Sequence, residues 1–239
     1  SDTDPKATHL LKASGAQYPT IHSLNWVSPE GKVLASSFPP LVGSSLSHRP
    51  YFQQVIAGAP WATGDLVRRG VQISAPVASI ATAVRDESDA LRGIVVAIIE
   101  PTRLGELTLT QERPAGGAYA LFDRHGVLVY RSPAESFTWE QRVGWRDNDV
   151  LLRRALDTRQ SQVGVARLTP PGEEWISARV PMPQIGWVAG AERPKDVAFA
   201  SMRRARFHDG LLALAVFALA FQLAYLIGRT LAGPLRRLE

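Results

Sequence analysis

The chain has 239 residues, more than one minimal domain needs and comfortable for two small ones. It contains no cysteine, which excludes a disulfide framework, a thiolate metal site and a cysteine nucleophile. Its net charge of +5 lies in residues 193–239, where eight basic side chains meet three acidic ones, while the other 192 residues balance at nineteen against nineteen. No basic face is left to track a phosphate backbone, so the composition argues against nucleic-acid binding.

In chain order, the first signal is a hairpin: alternating residues 21–27, the turn Ser28-Pro-Glu-Gly31, then residues 32–36. A helix is predicted over residues 50–57, ending at Gly58, and a strand over residues 71–77. A Gly-led hydrophobic strand, residues 93–100, meets Pro101, which starts a helix over residues 102–107. The same order then returns. Residues 118–122, the turn Asp123-Arg-His-Gly126 and residues 127–131 form a second hairpin. A helix over 150–156, a strand over 174–180 and a Gly-led strand from Gly186 to Pro194 follow it.

This is a degenerate internal repeat. Gly93 and Gly186, and Pro101 and Pro194, share an offset of 93, and Ile73-Ser-Ala-Pro-Val77 echoes Ile176-Ser-Ala-Arg-Val180. The expected fold class is α+β: two tandem modules, each an antiparallel sheet with helices on one face. A final helix over 195–206 is expected to run into the next segment.

Residues 210–228 read GLLALAVFALAFQLAYLIG, with no charge. A helix of nineteen residues spans roughly 28 Å, close to the hydrocarbon thickness of a bilayer. Arginines flank it on both sides in similar number, so charge bias does not orient it. The expectation is one C-terminal transmembrane helix. The chain opens at Ser1 with no hydrophobic leader, and both ends read as cuts in a longer protein that could carry an N-terminal membrane helix.

No catalytic constellation stands out. His9, His22, His48, His125 and His208 share no ligand spacing, so neither a metal nor a cofactor is expected. Gly43-Ser-Ser is no nucleophile elbow, and Val67-Arg-Arg-Gly70 lacks a phosphate-loop lysine.

Hairpin, helix and two sheet strands, repeated and followed by a membrane helix, resemble the double Cache sensor domain, a tandem PAS-like fold. The likeness rests on Ser47-His-Arg-Pro-Tyr-Phe-Gln53 with Gly58, on residues 93–101, on Asp123-Arg-His-Gly126 and on Ile185-Gly-Trp187. Gly228-Arg-Thr-Leu-Ala-Gly-Pro-Leu-Arg-Arg-Leu238 is similar to the opening of a HAMP linker. The resemblance implies a membrane-distal module over 1–110, a membrane-proximal module over 111–206, a transmembrane helix over 207–228 and a HAMP start over 229–239. Only a remnant of the helix that leads such domains is expected. It also implies a homodimer in an inner membrane with residues 1–209 outside, in the periplasm. The parent would be a sensor histidine kinase; a diguanylate cyclase, a chemoreceptor or a membrane-anchored partner-binding protein without a small ligand are the alternatives.

The ligand site is expected in the first module. Arg49 offers a planar fork that matches a carboxylate, and Tyr51 beside it can desolvate the pair. Trp61, Asp65 and Arg68 follow in a loop; Gln72 and Ser74 alternate along the predicted strand and would face the pocket. The competing reading ties Arg49 to Asp65 and buries Tyr51 and Phe52 in the core. In the family pattern, Arg49, Tyr51 and Phe52 match the element that binds carboxylates in amino-acid and dicarboxylate sensors. Ser44 stands where the amino-acid version has an aromatic, and only Asp65 and Glu100 could meet an ammonium. The resemblance therefore implies a small organic carboxylate ahead of an amino acid. Trp139, Trp145, Trp175 and Trp187 fall in the second module, which is assigned to relay.

Overall fold

A computed structural model describes residues 5–106, 116–133, 136–167, 174–200 and 214–222. Contacts divide the chain into residues 1–194 and residues 195–239.

The first unit begins with helix α1 (Pro5–Gly15), followed by strands β1 (Ile21–Val27) and β2 (Val33–Ser36). Helix α2 (Pro50–Ile56) and strands β3 (Trp61–Thr63), β4 (Ala78–Arg85) and β5 (Leu91–Ile99) complete the first module. The second has β6 (Ala118–Phe122), β7 (Leu128–Ser132), α3 (Trp139–Val143), α4 (Trp145–Asn148) and α5 (Val150–Thr158). It closes with β8 (Gln162–Arg167), β9 (Glu174–Met182) and β10 (Trp187–Pro194).

Each module is one antiparallel five-stranded sheet. The orders are β2-β1-β5-β4-β3 and β7-β6-β10-β9-β8, the same permutation twice. The repeat read from the sequence is thus a repeat of topology. Paired residues point to the same side of a sheet, so the registers fix what each face carries. In the first module Asn25, Val96 and Ala81 form one row across the inner face. In the second, Ala120, Gly190 and Arg179 form the matching row.

Both inner faces are covered by helix. Tyr51, Phe52 and Val55 of α2 pack with Val27, Ile94, Val96 and Ile98, all buried. At α5, Leu152 and Ala155 pack with Phe122, Leu128 and Val188. Burying one such aliphatic or aromatic side chain is worth about 1.5–3 kcal/mol, and these two clusters are what hold helix to sheet. The start of α5 is set by Asp149, whose side chain accepts from the Leu152 N–H.

The predicted strand over residues 71–77 is not a strand. It is a loop pinned by the bridges Val67–Val77 and Gly70–Ile73, and the sheet strand begins at Ala78. The backbone explains the difference. Gln72 turns at φ 58°, and Pro76 has no N–H to give a ladder. The Ile-Ser-Ala-x-Val echo therefore matches a loop in one module with β9 in the other. The helix expected after Pro101 is a short 3-10 turn, Pro101–Glu106, with Leu107 outside the described residues. The sequence reading also passed over β3, β8, α3 and α4.

In the second unit, α6 (Lys195–Ala198) is the described part of the helix expected over 195–206. Residues 214–222 are helical, and Leu214, Val216, Phe217, Leu219 and Phe221 are exposed. Among the described residues no helix is long and apolar enough to cross a membrane. The rest of the expected span, and the HAMP-like residues 229–239, lie outside the described residues.

Candidate functional site

Arg49 is the residue immediately before α2. Its backbone is extended (φ −79°, ψ 133°), Pro50 opens the helix, and its N–H donates to the Leu46 carbonyl at 3.0 Å. The main chain is fixed while the side chain, half-buried, makes no ion pair with any described residue. Two residues on, Tyr51 is buried on the sheet side of the helix. Burial pushes its phenol pKa up, against the opposing effects of the Ser79 hydroxyl and the Arg49 charge. The Tyr51 phenol on α2 thus feels both the Ser79 hydroxyl of β4 and the Arg49 charge.

Gly64 lets the loop after β3 lie against this group. A Cβ there would come within 2.7 Å of the Tyr51 ring. Beyond it, Ile73 and Val77 of the loop join the core.

The other expected site residues are placed elsewhere. Phe52 is core. Trp61 pairs with Thr82, and Ala62 with Ala81; Trp61 therefore faces the opposite side of the sheet, 41% exposed. Gln72 and Ser74 are exposed on the loop. Arg68 meets Glu140 at 3.7 Å on the surface. Asp65 does not pair with Arg49: it accepts from Arg124 Nε at 2.6 Å and lies 3.2 Å from His125 Nε2. Glu100, the other acid weighed for an ammonium, sits 3.8 Å from His22 and from Arg103. Ser79 was not singled out because the strand was placed one element early, and Ala78-Ser-Ile-Ala-Thr82 carries no polar–apolar alternation to mark its inward face. Among the described residues no group of three His, Asp or Glu could hold a metal ion.

The second module shows what occupies the matching place there. Asp149 stands immediately before α5, as Arg49 does before α2. Its carboxylate accepts from Arg179 Nε at 2.8 Å, and Arg179 Nη2 also reaches Glu192 at 2.6 Å. All three side chains are fully buried. Arg131 adds a second cation to Glu192 at 3.3 Å, and the Arg179 guanidinium lies 5.3 Å from the centre of the Phe122 ring. Gly190 is the floor beneath it, since a Cβ there would meet Arg179 Nη1 at 2.9 Å.

In the matching register the first module carries Ala81 for Arg179 and Ile98 for Glu192. The second module satisfies its helix-mouth charge from within. Among the described residues the first supplies Arg49 with no such partner.

The Cache domain family model matches residues 2–202. A search of the curated proteins returns no match. Among solved structures, the chain resembles the extracellular domain of rpHK1S-Z16, described as a histidine kinase, at 18% identity and a TM-score of 0.64 (82% of this chain, 80% of that one). The ligand-binding domain of the Pseudomonas aeruginosa PAO1 amino acid chemoreceptor PctB, in complex with L-Gln, matches at 16% identity and 0.60 (88% and 84%). The sensor domain of the V. cholerae histidine kinase DctB matches at 15% identity and 0.52 (80% and 78%). At these identities the likeness is one of fold. With the family model spanning both sheets, the chain belongs to the Cache domain family.

Proposed function

We propose that this chain is the sensor region of a transmembrane signalling receptor, and that its first module binds a small organic carboxylate through Arg49. The observation that carries the reading is the contrast between the helix mouths. Asp149 has Arg179 as a buried counter-ion, whereas Arg49, whose charge acts on the Tyr51 phenol, has none among the described residues. A bound carboxylate would complete in the first module the pair that the second builds from its own side chains.

A plain carboxylate is favoured over an amino acid because Asp65 and Glu100, the acids weighed for an ammonium, are already engaged. PctB in complex with L-Gln shows that amino acids are taken on this fold, so they belong in the same screen. Residues 1–110 are the ligand module, residues 111–206 the relay, residues 207–228 a membrane helix and residues 229–239 the start of a HAMP linker. The sensor lies on the periplasmic side of an inner membrane, the receptor works as a homodimer, and its output is a histidine kinase. Ligand energy acts only through different affinities for two packings of the sensor.

The test is a thermal-shift screen of the chain in detergent against organic acids, amino acids and amines. Saturable stabilisation by carboxylates, absent with amines of the same size, supports the reading. Silence across the panel favours a membrane-anchored partner-binding protein. Single cysteines placed through residues 210–228 should cross-link at helical spacing if the membrane helices pair in parallel.

A further inference from the structure

We infer that the β6–β7 turn, residues 123–126, is the lever through which the loop over the first module's site acts on the second module, with Asp65 as its anchor. Three consecutive turn residues hold Thr63, at the end of β3, and Asp65 and Leu66 of the loop that follows it. Asp65 accepts from Arg124 Nε at 2.6 Å and lies 3.2 Å from His125 Nε2. Arg124 Nη2 donates to the Thr63 carbonyl at 2.9 Å, and the Leu66 N–H donates to Asp123 Oδ2 at 3.2 Å. The Thr63 hydroxyl adds a longer bond, 3.4 Å, to the Ile185 carbonyl.

Both ends of this clasp are stiff. On the loop side, a Cβ on Gly64 would meet the Tyr51 ring at 2.7 Å, and Leu66 is buried. On the turn side, Asp123 is fully buried, and its other oxygen accepts the His125 and Val127 N–H groups at 2.9 and 3.0 Å. Gly126, at φ 80°, leaves no room for a Cβ between itself, Arg146 and Leu156. The turn therefore rests on α5, whose first residue is preceded by Asp149 of the buried ion network. A shift of the loop displaces the turn, and the turn bears on the helix that the network ties to β9 and β10.

The repeat itself argues that the turn is adapted to this task. The first module's turn, Ser28-Pro-Glu-Gly31, has the same Gly in the last place but neither the Arg nor the His. Asp65 belongs to this relay and not to the ligand.

Spatial continuity alone is not coupling, so the experiment measures coupling directly. It needs no ligand, and its failure leaves the carboxylate reading standing. Hydrogen exchange is followed in the full chain for wild type, Gly64→Ala, Arg124→Ala and the double variant. Gly64→Ala pushes the loop off Tyr51 from within. The expected result is that it speeds exchange of amides 123–127 about fivefold or more in the wild-type background, and by less than about twofold once Arg124 is gone. Amides of β4 and β5 serve as the control for intact folding. If Gly64→Ala does not fold, Asp65→Asn, which keeps the shape and removes the charge, is read in the same cycle. Unchanged exchange at 123–127 in the wild-type background, or an equal increase in both backgrounds, overturns the proposal.

Discussion

Arg49 and Asp149 stand at the same point of an internal repeat, each one residue before the helix that covers its module's sheet, and they carry opposite charges. Asp149 is neutralised by Arg179, whereas Arg49 has no counter-ion among the described residues. On the proposed reading, that difference is what makes the first module the sensing one and the second the relay.

The relay module should depend on its internal pair. Removing one partner of a buried ion pair leaves an uncompensated charge and costs about 3–5 kcal/mol. Arg179→Ala strands Asp149 and leaves Glu192 with Arg131. Denaturant unfolding should show a loss of this size. A loss under about 1 kcal/mol would mean that the network contributes little to holding α5 on the sheet.

Gly93 tests the fold. A Cβ at this position of β5 would lie 2.5 Å from the Trp26 ring and 2.9 Å from the Val27 carbonyl. The backbone carbonyl cannot swing aside as a side chain can. Gly93→Ala should destabilise the first module by about 1–3 kcal/mol, as overpacking does. Melting monitored by near-UV circular dichroism checks it, and an unchanged melting temperature would contradict the packing of Trp26 across β5.

How far the sequence led depends on the kind of signal. Both hairpins were legible, since residues 21–27 and 118–122 alternate and each turn ends in a glycine with positive φ, Gly31 and Gly126. Residues 71–77 misled because apolar alternation does not register that Pro76 cannot donate or that Gln72 turns left-handed. Arg49 and Tyr51 could be proposed because a chemical argument singles them out locally. The fate of Asp65 could not, because its partners Arg124 and His125 lie 59 and 60 positions along the chain. The Arg179–Asp149–Glu192 network was equally hidden. Arg179 reads as an ordinary strand arginine until β10 places Glu192 beside it.

Lower pH should favour the native fold through Asp123. Burial raises its carboxyl pKa above the ordinary 3.8, outweighing the N–H groups it accepts, and nearby Asp65 pushes the same way. A folded-state pKa above the unfolded one means that the native protein binds this proton more tightly. The stability it contributes is fully present below the ordinary carboxylate range and is lost as pH rises through the folded value. Asp123→Asn does not titrate. The melting temperature of wild type relative to this variant should therefore fall as pH is raised from about 3.5 upward, in the carboxylate range. A difference that grows with pH would contradict the assignment.

The central claim is that Arg49 is the charge partner of a carboxylate ligand. Truncating one member of a buried, hydrogen-bonded charge pair costs about 2–5 kcal/mol, a fall of roughly 30- to 5,000-fold in affinity. The most direct measurement is a titration of wild type, Arg49→Ala and Arg49→Lys by calorimetry, with melting recorded on the same samples, using the carboxylate that gives the largest shift in the screen. The account predicts that Arg49→Ala melts close to wild type yet shows no measurable binding, and that Arg49→Lys fails nearly as badly because an ammonium cannot reproduce the planar fork. Affinity of Arg49→Ala within about threefold of wild type, about 0.65 kcal/mol, would contradict it.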